Sequence, residues 1–252
     1  DDDVAGFTIA ETDGSTGVTE AGSTDLFTVV LNAQPTTDVV LSISSADTGE
    51  ATVTSSLTFT SANWDTAKTV TVTGVDDDII DGTQTSTITV SIIDGISDNA
   101  FDAVADQTVS VTTTDDDVAG FTIAETSGST GVDESGSTDI FTIVLDTQPS
   151  SDVVLSITSS DTGEATVESL IQFTSANWDT PQNVTVTGVD DGIIDGTQTS
   201  TITVTIVDAI TDDDFDAVAD QTVSVTTTDD DVAGFTIAET SGSTGVDESG
   251  ST

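Results

Sequence analysis

The chain repeats itself at long range. The run Asp1-Asp2-Asp3-Val4-Ala5-Gly6-Phe7 recurs from Asp115 to Phe121 and again from Asp229 to Phe235, a period of 114 residues. The second copy follows the first without a gap and differs at 25 of 114 positions. Most differences are surface-type, such as Thr36 against Ser150 or Ala46 against Ser160. Those in apolar positions keep side-chain volume, as in Leu26 against Ile140, Val29 against Ile143 and Ile93 against Val207. A unit of this length is the size of one small domain. The expected division is residues 1–3 as the end of a preceding repeat, 4–117 as the first repeat, 118–231 as the second, and 232–252 as the opening of a third. That last piece is too short for its own domain, so it is either a mobile end or a strand that borrows a neighbour's edge.

Within a copy the apolar residues alternate. Phe27, Val29 and Leu31 fall on one face of a strand, as do Val39, Leu41 and Ile43, then Val70 and Val72, then Ile88, Val90 and Ile92, then Val109 and Val111. Turn-forming clusters such as Asp13-Gly14-Ser15, Gln34-Pro35-Thr36-Thr37 and Asp47-Thr48-Gly49 separate them. Thr and Val are abundant and no stretch has helical periodicity. About seven strands of this kind predict an all-β fold, tandem seven-stranded antiparallel sandwiches of immunoglobulin-like type. Trp64 with Phe59, and Trp178 with Phe173, suit the core or its corners better than a ligand-stacking platform.

Charge limits the function. Forty-seven acids face one base, Lys68, for a formal net charge of −46. Nucleic acids and anionic membranes attract basic surfaces, so neither is an expected partner. With no cysteine, a disulfide framework is excluded. Lys68 is replaced by Gln182 in the second copy, which excludes a lysine crosslink common to both. No apolar run is long enough to span a bilayer. The hydrophobic fraction of 35% is nevertheless ample for folded cores.

The acids gather in loops: Glu20, Asp47, the run Asp76 to Asp78 with Asp81, the patch Asp98, Asp102 and Asp106, and the terminal Asp115 to Asp117. Adjacent carboxylates repel by on the order of 1 kcal/mol or more per close pair. In an immunoglobulin-like strand order, Glu20, Asp47, Asp76 to Asp81 and Asp115 to Asp117 can meet at one pole of the sandwich. Carboxylate oxygens converging from several loops, without His or Cys, suit a hard cation. Ca2+, with six to eight flexible oxygen ligands, fits better than Mg2+, and Zn2+ is disfavoured.

The residues also resemble a known family, the Calx-β domain, found in sodium/calcium exchangers and in tandem in very large bacterial surface proteins. The resemblance covers each copy and rests on three motifs. These are Asp115-Asp116-Asp117 followed by Val118-Ala119-Gly120-Phe121-Thr122, the opening Val18-Thr19-Glu20-Ala21-Gly22-Ser23, and the stretch from Val70 to Asp81. The phrase from Leu57 to Trp64 is similar to the bacterial branch. The resemblance implies a Ca2+ ligand set of Glu20, Asp47, Asp76, Asp77, Asp81, Asp115, Asp116 and Asp117. In the second copy it implies Glu134, Asp161, Asp190, Asp191, Asp195, Asp229, Asp230 and Asp231. One departure is that Asp78 is matched by Gly192.

These readings converge on a structural extender of a long extracellular adhesin or surface fibre, stiffened by Ca2+ where one repeat meets the next. The expected partners are neighbouring repeats of the chain and other copies in a filament. Alternatives are a filament subunit joined by strand docking between molecules, or a carbohydrate- or ice-binding module using threonine rows such as Thr85, Thr87 and Thr89. Catalysis is not expected. Paired carboxylates can hydrolyse glycosides, but such sites also need sugar-stacking aromatics, and aromatic residues make up only 4% of the chain.

Overall fold

A computed structural model describes residues 3–240 and residue 242. The first repeat has nine strands: β1 (Phe7–Glu11), β2 (Thr16–Thr19), β3 (Thr24–Leu31), β4 (Val39–Ser45), β5 (Ala51–Val53), β6 (Ser56–Phe59), β7 (Lys68–Gly74), β8 (Gln84–Ile92) and β9 (Gln107–Thr114). One sheet has the order β1-β3-β7-β5 and the other β2-β9-β8-β4-β6. The second repeat duplicates this with β10 (Phe121–Glu125), β11 (Thr130–Asp133), β12 (Thr138–Leu145), β13 (Val153–Ser159), β14 (Ala165–Val167), β15 (Leu170–Phe173), β16 (Gln182–Gly188), β17 (Gln198–Ile206) and β18 (Gln221–Thr228).

The strand count exceeds the expected seven for two local reasons. The opening segment breaks at Asp13 (φ 56°) and Gly14 (φ 85°), a left-handed turn that moves the chain from one sheet to the other. Thus β1 pairs antiparallel with β3, whereas β2 pairs in parallel with β9. After β4 the chain also visits both sheets, as β5 against β7 and then β6 against β4. The second repeat has the same parallel pair, β11 with β18; the other strand pairings among the described residues are antiparallel, and the architecture is the expected tandem sandwich.

The alternating residues form the core. In β8, Ser86, Ile88 and Val90 are buried while Thr85, Thr87 and Thr89 face water. Phe27, Val29, Leu41, Phe59, Val70, Val72, Ile88, Val90, Phe101 and Val111 share one buried cluster, with Trp64 packed at its edge. Removing Phe27 or Phe59 to Ala at such a site costs about 3–5 kcal/mol. The equivalents Phe141, Phe173, Ile202 and Phe215 anchor the second core. The third opening sequence behaves differently: Phe7 and Phe121 are buried against β3 and β12, but Phe235 is 88% exposed and lies in no strand. Residues 243–252 lie outside the described residues.

Candidate metal centre

Strand register builds the acidic site. In the parallel pair β2–β9, Thr19 lies opposite Thr114, the last residue of each strand. The next residues are therefore side by side: Glu20 N–H donates to the Thr114 carbonyl at 3.1 Å, and Asp115 leaves the same strand end. In the antiparallel pair β8–β9, Gln84 lies opposite Thr113. This brings the preceding loop to Asp115, whose Oδ2 accepts from the N–H groups of Asp81 and Gly82 at 3.1 and 2.7 Å. In β5–β7, Ala51 lies opposite Gly74, and Val75 N–H donates to the Glu50 carbonyl at 2.9 Å. Glycine is required at position 74, because a side chain there would run into the Thr19 carbonyl.

The result is a compact set of carboxylates at one pole. Oxygens of Glu20, Glu50 and Asp81 lie within 4.8 Å of one another, as do those of Glu20, Asp115 and Asp117. Glu20 belongs to both groups. It is only 1% exposed and Glu50 8%. Both Glu20 oxygens and Oε2 of Glu50 have no hydrogen-bond partner. Two charges at this spacing repel by about 3 kcal/mol at an effective dielectric near 20, besides the cost of taking each out of water. Burial, reinforced by Asp115, Asp77, Asp81 and Glu50, pushes the Glu20 carboxyl up to about 7. Burial, followed by Asp115 and Asp78, pushes Asp117 up to about 6.

The second repeat has the same arrangement with a different division of partners. Glu134 groups with Asp191 and Asp231, and separately with Glu164 and Asp195. Both oxygens of Glu134, Oε2 of Glu164 and Oδ2 of Asp231 are buried without partners. Burial and then Asp229 push Glu134 up to about 7, while burial raises Glu164 and Asp231. Asp229 is lowered, chiefly because Gly196 and Asp231 donate backbone N–H groups to it.

Some of the sixteen expected ligands lie elsewhere. Asp47 Oδ1 accepts from Gly49 N–H at 3.0 Å and Asp161 Oδ1 from Gly163 N–H at 2.9 Å, so each carboxylate caps its own turn. Both still stand close enough to raise Glu50 and Glu164 electrostatically. Asp77 acts on Glu20, and its Oδ1 accepts from Ile79 N–H. Asp76, Asp116, Asp190 and Asp230 are exposed and belong to none of the tight groups. Sequence reasoning missed Glu50 and Glu164, which occupy buried places beside the central glutamates. The patch at Asp98 has a separate role: its carboxylate caps a turn, held well below the usual range by the Thr36 hydroxyl and by the N–H groups of Ala100, Thr37 and Thr36.

An oxygen-only set fits a hard divalent ion. In their ionised form the unpartnered oxygens of Glu20 and Glu134 would need a positive counterpart. Lys68, the only basic side chain, donates instead to the Thr58 carbonyl. Calcium suits this number of carboxylates and their irregular spacing.

Neither a family model nor any curated protein matches the sequence. Among solved structures, the chain is similar to the calcium binding domain CBD12 of CALX1.1, at 13% identity, 79% coverage of this chain, 80% of that chain and a TM-score of 0.33. It is likewise similar to CBD12 from CALX1.2, at 13% identity, 86% and 99% coverage and a TM-score of 0.35. Domains 4 and 5 of the S-layer protein SbsC give 20% identity, 75% and 76% coverage and a TM-score of 0.36. At this level of overlap the likenesses say nothing of what this chain binds.

Proposed function

We propose that the repeats are non-catalytic, calcium-binding spacers of a long extracellular adhesin or surface fibre, each holding Ca2+ at the pole that faces its successor. The observation that carries this is Glu20, a fully buried carboxylate without a partner, ringed by Glu50, Asp81, Asp115 and Asp117, and its duplicate at Glu134. In this reading Ca2+ would be held by Glu20 together with Asp115 and Asp117 on one side and with Glu50 and Asp81 on the other. Each terminal aspartate run leads through Val118-Ala119-Gly120 directly into β10. An ion fixed by Asp115 and Asp117 therefore restricts where the next sandwich points.

Extracellular calcium modules have dissociation constants near 10⁻⁴ to 10⁻³ M, so millimolar Ca2+ contributes on the order of 1–3 kcal/mol per site. That is a substantial part of a small domain's stability. Calorimetric titration with Ca2+, paired with small-angle X-ray scattering in Ca2+ and in chelator, tests the reading. Heat saturating at several ions per chain and a longer, narrower particle in Ca2+ are expected. No heat and an unchanged scattering curve would refute it.

A further inference from the structure

The turn between β12 and β13, residues 146–152, meets what precedes the second sandwich at two places. Asp146 N–H donates to the carbonyl of Gly120, the last residue of the linker, at 3.0 Å, and a side chain at position 120 would run into the Asp146 carboxylate. Two residues on, Gln148 N–H donates to the Asp78 carbonyl of the first repeat at 2.7 Å, and Gln148 forms a parallel bridge with Ile79. The Gln148 side chain is engaged within its own repeat, donating to the Ser175 carbonyl at 2.8 Å. One turn therefore contacts both the linker and the β7–β8 loop of the first sandwich.

Turns are ordinarily the mobile parts of a domain. This one is pinned on its far side by Asp212, which is only 4% exposed. Its Oδ2 accepts from the Ser150 hydroxyl at 2.8 Å and the Ser151 N–H at 2.7 Å, and its Oδ1 from the Asp214 N–H at 3.2 Å. The Asp212 N–H donates in turn to the Asp152 carbonyl at 3.1 Å. Between these anchors Pro149 is buried, and its ring fixes the backbone there. Hydrogen bonds to a carboxylate are stronger than those between neutral groups. Asp212 thus ties the turn to the corner between β17 and β18. That corner also faces the first repeat, since Asp214, Ala217 and Val218 line an open cleft together with Ile80 and Asp117.

We propose that Asp212 is a positioning residue of the joint between the repeats: by locking the turn at 146–152 to the corner that begins at 212, it makes one rigid seat for the β7–β8 loop and so sets the angle between the two sandwiches. The contact involves few residues, and small contacts within a chain leave domains free to move. Precision must then come from the stiffness of the surfaces that meet. None of Asp146, Gln148, Ser150, Ser151 and Asp212 belongs to the tight carboxylate groups at the poles, so the seat itself needs no ion. The first repeat supplies a control. Asp98 caps its own turn in the same way, accepting from the Thr36 hydroxyl and from the N–H groups of Thr36 and Thr37. That cap lies beyond the nine-residue β8 from the β7–β8 loop, at the end of its sandwich remote from the joint.

The chain has no cysteine, so spin labels can be placed at chosen positions. Thr87 and Thr201 are exposed, one on each repeat, and T87C/T201C carries the labels in an otherwise unchanged chain. In Ca2+, pulsed dipolar spectroscopy should give a narrow distance distribution for this parent and one at least about twofold wider with Asp212→Ala, which strips the turn of its acceptor. Asp98→Ala, which removes the matching cap from the first sandwich, should leave the width unchanged. Ser150→Ala, a milder change that keeps Asp212, should widen the distribution less, and Ser150→Thr, which keeps the hydroxyl as Thr36 does, should restore the parent width. Circular dichroism shows which variants are folded, and Ser150→Ala decides if Asp212→Ala is not. Equal widening from Asp98→Ala and Asp212→Ala, or no widening from folded Asp212→Ala or Ser150→Ala, would overturn the proposal. Repeating the measurement in chelator keeps it apart from the calcium reading. A width that depends on Asp212 in both solutions, with no binding heat, refutes only the calcium reading; a joint that tightens with Ca2+ alike in the parent and in Asp212→Ala refutes only the seat.

Discussion

The loops at residues 75–82 and 189–196 differ in sequence at one position, Asp78 against Gly192, and more in their surroundings. The first lies against a following sandwich, where Ile79 is 40% exposed; in the second, Ile193 is 59% exposed. Glycine at 192 adopts φ 90°, a conformation absent at Asp78, so the free loop also takes its own path. The glutamates beside these loops do not follow that difference. Glu20 and Glu134 are equally buried, unpartnered and surrounded by acid. The acidic pole is thus built by the strand register inside one repeat, whereas the exposure of the isoleucines differs between the two loops.

The largest effect expected from breaking this pattern comes from the central glutamates. Glu20→Gln should remove the calcium heat of the first repeat and leave that of the second, and Glu134→Gln should do the reverse. In calorimetry each variant keeps about half the sites, with affinity at the altered pole down by at least about tenfold. Loss at both poles from one substitution would mean that the sites are not built repeat by repeat.

Next in size is a pH effect shared by both poles. Glu20 and Glu134 hold their protons up to about 7 when folded, against 4.5 for an ordinary glutamate. Between those values the folded state binds more protons than the unfolded state. In chelator their contribution to stability is therefore fully present below about pH 4.5 and is lost as pH rises to about 7. Thermal melts should show this fall, and the E20Q/E134Q chain should show a flatter profile than the parent. Calcium needs the ionised form, so its affinity should rise over the same range, with proton release visible as a buffer-dependent heat near pH 7.

A smaller effect separates the two loops. Ile80→Asp places a carboxylate in the wall of the cleft it lines with Asp117 and Asp214 and should broaden the inter-repeat distance distribution in scattering at saturating Ca2+. Ile194→Asp, on the free loop, should leave that distribution unchanged in dilute solution. The smallest effect belongs to the turn-capping aspartates. Asp47→Asn should change calcium affinity by less than about threefold, whereas Glu50→Gln should weaken it by more, a ranking that parallel titrations would check.

Much of this was legible before any coordinates. Alternation placed Phe27, Val29, Leu31, Ile88 and Val90 on the core face, because a half-buried strand shows a period of two. The acid runs at strand ends marked the pole. Glu50 was not recovered, although a cue existed: Asp47-Thr48-Gly49 is turn chemistry in which an aspartate bonds the backbone two residues on, which occupies Asp47 and leaves the next acid available. Asp13-Gly14-Ser15 marks the break after β1 but not the change of sheet, and only the parallel register of β2 with β9 reveals that Glu20 lies beside Asp115. The cleft lined by Ile80, Val118, Ala119, Ala217 and Val218 is made from residues far apart in sequence and appears only once β17 and β18 are paired.

The most direct test is a crystal structure of the two-repeat chain grown in Ca2+, with anomalous scattering used to locate the ions. The account predicts anomalous peaks about 2.3–2.6 Å from the oxygens of Glu20 and Glu134, shared with Glu50, Asp81, Asp115 and Asp117 in the first repeat and with Glu164, Asp195, Asp191 and Asp231 in the second. Carboxylates of Glu20 and Glu134 buried with no ion beside them, at saturating Ca2+, would contradict it.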